Sequence, residues 1–177
     1  PAGNYNVAIA GPSGSGKSLL LNEMAAAYLG TGARVWIIDV GRSYEKACRN
    51  FGGSFIEFTE NAALSLNPFT LVADIDEDME LLQPLLAQMV SPREPLDGFQ
   101  YSTLGAAIKK VWKAKGNTMK VSDVHDLLAT GRLDEDSRDE DRRLKDLAAM
   151  LHPYTREGVY GKYFESDATI DFSSDFI

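Results

Sequence analysis

Three glycines, three serines and a lysine stand close together in the run Gly-Pro-Ser-Gly-Ser-Gly-Lys-Ser, which begins at Gly11 and ends at Ser18. Glycine at three of these positions allows the backbone to curl tightly and to point its N–H groups at an anion. Lys17 can then reach the β- and γ-phosphates of a nucleotide, and the hydroxyl group of Ser18 can ligate Mg²⁺. The pattern predicts a P-loop that binds a nucleoside triphosphate with Mg²⁺. The residues expected to hold the nucleotide are Gly11, Ser13, Gly14, Ser15, Gly16, Lys17, Ser18 and Leu19, and Ser18 is also the expected metal ligand.

The segments on either side of this loop have the patterns that phosphate binding requires. Residues 5–10 form a short apolar run typical of a buried strand, and residues 17–29 are strong helix formers. A helix that begins at Lys17 adds the positive end of its dipole to the phosphate position. We therefore expect a strand, the loop and a helix in that order.

Cleavage of a triphosphate also requires a carboxylate in the metal shell and a group that positions water. The apolar run at residues 34–39 predicts a second buried strand that ends in Asp39. Parallel sheets place ligands at the carboxyl ends of their strands, and Gly41 then allows a sharp turn that brings Arg42 to the same crevice. The predicted catalytic residues are therefore Lys17, Asp39 and Arg42, with Asp39 in a metal-shell or sensor role.

Two alternatives stay open for this carboxylate. Asp39 can instead cap the turn before a helix predicted at residues 43–50, while Arg42 points to solvent. Asp171, in the run Ile-Asp-Phe at residues 170–172, is a weaker candidate because few apolar residues precede it.

The composition is that of an acidic chain with ordinary apolar content. Of its 177 residues 44% are hydrophobic and 25% are charged, and the net charge is −8. Such a chain repels nucleic-acid phosphates unless its basic residues cluster, and the four lysines at 109–115 are predicted to line a solvated helix face instead. No apolar run reaches the roughly 18 residues of a membrane span. The single cysteine, Cys48, excludes an intrachain disulfide and fits a reducing, cytoplasmic setting.

The order of the elements predicts an α/β P-loop NTPase fold, which opens with a parallel sheet and continues with a helical insertion or subdomain. Residues 1–75 are the P-loop segment, with a third short strand at residues 54–58. Residues 76–152 are the helical insertion. Residues 153–177 return toward the sheet, with short strands predicted at residues 169–172 and 176–177.

Within the insertion, Ser122 is predicted to cap a short helix, and a capping box at residues 137–140 is predicted to begin the next one. The side chains predicted to face the core follow a helical spacing. They are Met79, Leu82, Leu86, Met89, Tyr101, Leu104, Ile108, Val111, Trp112, Leu144, Leu147, Ala148 and Leu151.

Three segments together resemble one family. They are the run GPSGSGKSLLLNEMAAAYLGTGARVWIIDVGRSYEKACRNFGG at residues 11–53, the element LNPF at residues 66–69 and the run LHPYTREGVYGKYF at residues 151–164. These segments resemble the ATPases of conjugative type IV secretion systems, the TraC-type proteins of F-like plasmids. The P-loop alone occurs in many families, whereas the combination is much more specific.

The resemblance implies a RecA-like motor that hydrolyses ATP with Mg²⁺ at the cytoplasmic face of the inner membrane. It also implies a homo-oligomer, a hexamer in the parent protein, that docks on inner-membrane subunits and energises pilus assembly and substrate transfer. Members of the family are much longer than this chain, and their Walker B strand lies after the point that corresponds to Ile177. The chain therefore resembles the first half of a motor domain. The resemblance implies an incomplete parallel sheet that lacks the Walker B strand, and it implies that ATP hydrolysis by this chain is slow or absent.

Two other functions stay open. The first is an ATPase of the FtsK or HerA kind that pumps DNA, which the acidic charge disfavours, and direct nucleic-acid binding stays undecided. The second is a nucleotide-binding assembly module that changes partners without hydrolysis. The chain has no Asn-Lys-x-Asp guanine motif, which favours ATP over GTP.

Overall fold

The computed structural model describes residues 5–59, 62–134, 139–170 and 174–177. The chain divides into two compact units, one made of Pro1–Glu60 with Asp171–Ile177 and the other of Asn61–Ile170. The helices among the described residues are α1 (Lys17–Gly30), α2 (Glu45–Asn50), α3 (Ile75–Val90), α4 (Gly98–Lys115), α5 (Val121–Ala129) and α6 (Arg142–Leu151), with 3₁₀ turns at Gly116–Thr118, His152–Tyr154 and Gly161–Tyr163.

The first unit contains the P-loop, α1 and α2. The helix predicted after the P-loop is confirmed, since α1 begins at Lys17 and runs for 14 residues. The short helix α2 is also present, with an ion pair between Glu45 and Arg49 one turn apart (2.9 Å).

The predicted parallel sheet is wrong for the described part of the chain. Residues 5–10, 34–39 and 54–58 form no strand. The only β pairing that the structure gives for the described residues is an isolated parallel bridge between Val35 and Phe176. The strand predicted to begin at residue 169 lies partly outside the described residues, and residues 169 and 170 are not in a strand.

The reason is that an apolar run makes a strand only where a neighbouring strand accepts and donates backbone hydrogen bonds. The side chains of the first two segments are largely in solvent, as shown by Ile38, which is fully exposed, and Tyr5, which is 90% exposed. Those of residues 54–56 are half-buried. The segments are apolar, but the described residues of this unit do not supply the neighbouring strands that would bury them.

Phe176 forms the centre of the first unit. Its side chain is 2% exposed and lies 6.2 Å from the ring of Phe51. Its carbonyl oxygen accepts the N–H of Ser54, while the next N–H, of Ile177, is donated to the carbonyl oxygen of Val35. Besides Phe176, the buried apolar side chains of the described part of this unit are those of Ala25 and Cys48.

The second unit holds a well-packed helical core. Its helices α3 to α6 turn one face inward. Of the side chains predicted to face the core, all are buried except that of Tyr101, which is 38% exposed, and that of Trp112, which is half-buried. Phe69, Met119, Val121, Val124 and Leu128 complete this core with side chains that are fully buried. Pro84 lies inside α3 on the outer face, so that the buried stripe of this helix is uninterrupted.

The helix caps correct two sequence predictions. Ser122 does not cap α5, which begins one residue earlier, because Asp123 accepts the N–H of Lys120 instead (2.7 Å). Two of the four residues of the capping box predicted at 137–140 lie outside the described residues, and the carboxylate that caps α6 is that of Asp141. The guanidinium of Arg143 and its N–H both bond this carboxylate and lower the pKa of Asp141.

The LNPF element lies in the interior of the second unit and is hydrogen-bonded to a distant part of it. Asn67 is 2% exposed, donates to the carbonyl oxygen of Met119 (3.1 Å) and accepts the N–H of Phe69 (3.3 Å). Asn117 donates to the carbonyl oxygen of Val72 (2.7 Å) just beyond it. The element that helps to distinguish the family is thus a buried structural clip.

A second set of bonds ties the clip to the end of the unit. Leu66 donates its N–H to the carbonyl oxygen of Tyr163 (2.6 Å), and Thr169 donates its N–H to that of Ser65 (3.0 Å). Because these partners lie about a hundred positions apart, the clip depends on the folding of the whole unit.

Phe69→Ala is expected to lower the free energy of unfolding of the second unit by about 3–5 kcal/mol, since the lost ring leaves a cavity in a closed core. The matched control is Leu71→Ala, whose side chain is 71% exposed and whose removal should cost less than about 0.5 kcal/mol. Urea unfolding followed by circular dichroism measures both. Equal losses in the two variants would contradict the buried-clip assignment.

The lysine cluster of α4 is engaged within the second unit. Lys109 pairs with Asp76 (2.5 Å), Lys115 pairs with Asp123 (2.6 Å), and Lys110 donates to the carbonyl oxygen of Leu133. These contacts favour the predicted solvated helix face over a nucleic-acid patch, because two of the four lysine charges are already paired with carboxylates.

Candidate functional site

The P-loop has the backbone geometry of an anion cradle. Gly14 and Gly16 have φ values of 79° and 88°, in the left-handed region that side-chain-bearing residues avoid. At Gly11 a Cβ atom would lie 2.8 Å from Oγ of Ser15, so a larger residue there would require that hydroxyl group to rotate away. Two of the three glycines that predicted the loop, Gly14 and Gly16, therefore adopt backbone angles that favour glycine.

The first turn of α1 presents unbonded N–H groups. The N–H of Leu20 bonds the carbonyl oxygen of Gly16 (2.9 Å), which begins the helical ladder. The N–H groups of Lys17, Ser18 and Leu19 precede that ladder, and Gly16 offers no side chain to cap them. No acidic residue lies in this turn, so the positive end of the helix is not neutralised locally.

Lys17 lies across the same loop. Its Nζ donates to the carbonyl oxygens of Gly11 (2.6 Å) and Pro12 (2.7 Å). An ammonium group has three N–H donors, so one donor is left for a phosphate oxygen. The lysine is thus held at the mouth of the loop in a position to meet the charge of a ligand.

These residues fit a nucleotide phosphate with Mg²⁺. The free N–H groups, the ammonium of Lys17 and the glycine turns match an anion, and the exposed hydroxyl of Ser18 is a hard oxygen donor of the kind that Mg²⁺ prefers. Mg²⁺ is usually bound by one or two protein oxygens together with phosphate oxygens, so a single protein ligand at this point is sufficient.

Asp39 is engaged in the turn that follows it. Its Oδ2 accepts the N–H of Ser43 (2.5 Å), closing a turn in which Gly41 has a φ of 139°. This bond matches the capping alternative for Asp39. The other carboxylate oxygen is not used by this bond, so the contact does not exclude a second role.

Arg42 is the one non-glycine residue with a positive φ (60°) in the described part of the chain. Its guanidinium is paired with the carboxylate of Glu57, and that contact raises the pKa of Arg42 above its ordinary value. Sequence reasoning missed Glu57, because nothing in its local pattern indicates a partner fifteen residues away. Arg42 therefore does not simply point to solvent, as the capping alternative had it.

The structure brings some of the predicted site residues together and leaves others apart. Within the described residues, Lys17 contacts Gly11 and Pro12, whereas no hydrogen bond or ion pair joins Asp39 or Arg42 to the P-loop. The predicted catalytic role of Asp39 and Arg42 stays a prediction. Asp171 lies outside the described residues.

A comparison with protein families agrees with this geometry. The model described as "TraG P-loop domain" matches residues 2–177, nearly the entire chain. The chain belongs to the TraG P-loop domain family.

Relatives of this TraG P-loop domain confirm the resemblance to TraC. Protein TraC of Escherichia coli (strain K12) is 34% identical over 167 residues, which is 93% of this chain and 19% of TraC. The solved structure of VirB4 of Thermoanaerobacter pseudethanolicus has a TM-score of 0.68 at 20% identity and covers 94% of this chain and 47% of that one. At that identity the likeness concerns the fold, and it supports a P-loop NTPase fold. The TraG P-loop domain thus spans about a fifth of TraC.

Two further findings bound the site. Among the helices of the described residues, none has both the length and the apolar character to cross a membrane. The same part of the chain contains no cluster of three histidine, cysteine or acidic side chains that would bind a metal by itself. A metal site made by Ser18 together with phosphate oxygens does not require such a cluster.

Proposed function

We propose that this domain binds Mg-ATP at the P-loop and forms the nucleotide-binding part of a motor ATPase of a conjugative type IV secretion system. The observation that carries the proposal is the P-loop itself, where left-handed glycines, free N–H groups and Lys17 converge on one exposed position. The 34% sequence identity of the chain to TraC and the membership of the chain in the TraG P-loop domain family support the assignment to that system.

The residues of the loop have distinct roles in this proposal. The N–H groups of residues 14–19 bind the phosphate oxygens, Lys17 neutralises their charge, and Ser18 ligates Mg²⁺. When bound, Mg²⁺ would supply further charge neutralisation at the phosphates. Calorimetric titration of Mg-ATP, Mg-GTP and inorganic phosphate into the chain tests these roles. Saturable binding of Mg-ATP, with a lower Kd than that of Mg-GTP, supports the proposal. If none of the three titrations gives a binding heat, the proposal is contradicted.

The longer parent protein is proposed to hydrolyse ATP as a homo-oligomer, a hexamer, at the cytoplasmic face of the inner membrane. There it would dock on inner-membrane subunits of the secretion system. The lack of a membrane-crossing helix among the described residues is compatible with a peripheral location. ATPase activity of the parent, measured with and without DNA, separates this function from that of a DNA pump and from that of a non-hydrolysing module.

Asp39→Asn in the parent protein is expected to leave ATP affinity nearly unchanged and to lower hydrolysis by about 10- to 100-fold, as for residues that orient a metal shell. The asparagine keeps an oxygen that accepts the N–H of Ser43, so the turn should persist. Steady-state ATPase rates and calorimetric affinities measure the two effects.

Asp39→Ala is the control, because alanine removes both the charge and the acceptor. It should lower the melting temperature in addition to the rate, whereas Asp39→Asn should not lower the melting temperature. If Asp39→Asn melts early and hydrolyses ATP normally, Asp39 is only a cap, and both it and Arg42 leave the proposed site.

A further inference from the structure

Helix α3 in the second unit carries apolar side chains on two faces. The inner face is buried in the core, whereas Leu81, Pro84, Leu85 and Gln88 share an outer stripe at spacing i, i+3, i+4 and i+7. Leu81 is 76% exposed and Leu85 is 47% exposed. A helix that is apolar on both faces is typical of one that is covered on both.

A groove of about 340 Å³ continues this stripe toward the loop between α3 and α4. Its walls are mainly apolar and rigid, since three of the lining residues are prolines. Among the lining residues are Pro84, Ala87, Pro92, Pro95, Leu96 and Tyr101.

Hydrogen bonds hold the groove open. Gln88 donates to the carbonyl oxygen of Pro92 (3.0 Å), and Ser91 donates to that of Glu94 (2.6 Å), which fixes the loop. Gln83 donates to the carbonyl oxygen of Tyr101 (2.7 Å), which fixes α3 against α4. A groove that is already formed loses little conformational entropy when it is filled.

The surroundings of the stripe are acidic. Glu77 lies one turn before Leu81, and Glu80 adjoins it, while Glu94 lines the groove beside Arg93. None of the ion pairs that the structure gives for the described residues involves these three glutamates, unlike Asp76, which Lys109 compensates. An occupant of the groove would therefore meet an apolar centre with a largely negative border.

We infer that the outer face of α3 and the adjoining groove bind a cationic amphipathic helix of a partner protein. Leucine-type side chains at helical spacing on that helix fill the groove, and its lysines or arginines lie against Glu77, Glu80 and Glu94. The acidic border disfavours an anionic membrane or a nucleic acid at this face. A second copy is also disfavoured, because three of the four lysines of the basic helix α4 are engaged within their own unit.

The probe is a labelled peptide of about 18 residues, long enough to form a helix, with leucine at i, i+3, i+4 and i+7 and lysine elsewhere. Fluorescence anisotropy measures its Kd for the 177-residue chain. The test variants are Leu81→Ser with Leu85→Ser, and Glu77→Lys with Glu80→Lys. Their matched controls in the same unit are Leu71→Ser with Val159→Ser, and Asp146→Lys with Glu157→Lys, which change as much apolar surface or as much charge elsewhere.

Each test variant is expected to raise the Kd at least tenfold, while the controls change it less than twofold. A peptide with glutamate in place of lysine should not bind, and Lys17→Ala should bind the lysine peptide normally, so that a failure here differs from a failure of the nucleotide site. Circular dichroism checks that each variant is folded.

Several results would overturn the inference. The inference is wrong if the test and control variants lose the same affinity for the peptide, or if no variant loses affinity for it. A dimer seen by sedimentation and abolished by Leu81→Ser with Leu85→Ser would replace the partner helix by a second copy. Pelleting with anionic phosphatidylglycerol vesicles that the same variant abolishes would replace it by a membrane.

Discussion

Lys17→Ala is expected to abolish nucleotide binding, with a rise in Kd for Mg-ATP of at least about 100-fold, or about 2.7 kcal/mol. The ammonium already sits on the P-loop, bonded to the carbonyl oxygens of Gly11 and Pro12, with one donor to spare. Its removal leaves the phosphate charge to the backbone N–H groups and the helix dipole alone, and charge-assisted bonds are the stronger part of such a site. Isothermal titration calorimetry measures the change.

The control for this prediction is Lys46→Ala, which removes an exposed lysine from α2 in the same unit. This variant should bind Mg-ATP as the unaltered chain does. Melting curves of both variants test whether the unit stays folded, because the two carbonyl contacts of Lys17 lie at the surface and contribute little to stability. An unchanged Kd in a folded Lys17→Ala variant would remove the phosphate assignment.

The 177-residue chain by itself is expected to hydrolyse ATP about 10³–10⁵ times more slowly than its parent protein, the range that loss of an arginine finger alone produces. The sequence contains no apolar run that ends in the Asp-Glu pair of a Walker B strand. Arg42, the arginine predicted nearest the phosphates, is paired with Glu57. Release of inorganic phosphate from Mg-ATP, compared between the chain and the parent at equal P-loop concentration, measures the difference.

Rapid hydrolysis by the pure chain would contradict this expectation, provided that Lys17→Ala eliminates it and so excludes a contaminant. A catalytic carboxylate would then be present within these residues. Asp39 would be the first to replace, because one of its oxygens is not used by Ser43.

The helical part of the molecule was predictable because its information is local. The spacing of Met79, Leu82, Leu86 and Met89 marks the buried face of α3 whatever the rest of the chain does, since a helix makes its backbone bonds within itself. The P-loop was predictable for the same reason. Gly14 and Gly16 adopt backbone angles that few other residues tolerate, so their positions indicate the turn.

The strand predictions failed because a strand depends on residues that its own pattern does not contain. Val35 pairs with Phe176, about 140 positions later, and nothing in either segment indicates the other. Cap positions failed on a smaller scale, because Ser122 competes with Asp123 for the same turn and is drawn into a bond with Glu165 instead.

The sequence by itself therefore determined the helix that follows the P-loop, the family and most of the inward-facing side chains of α3, α4 and α6, all of which depend on residue type and short spacing. Only the tertiary structure decided that Asp39 closes a turn, that Arg42 pairs with Glu57 and that the LNPF element is a buried clip. It also decided that the outer leucines of α3 are left in solvent beside a groove. Each of these depends on which distant segments meet, and a meeting of distant segments is a property of the folded chain that no local pattern contains.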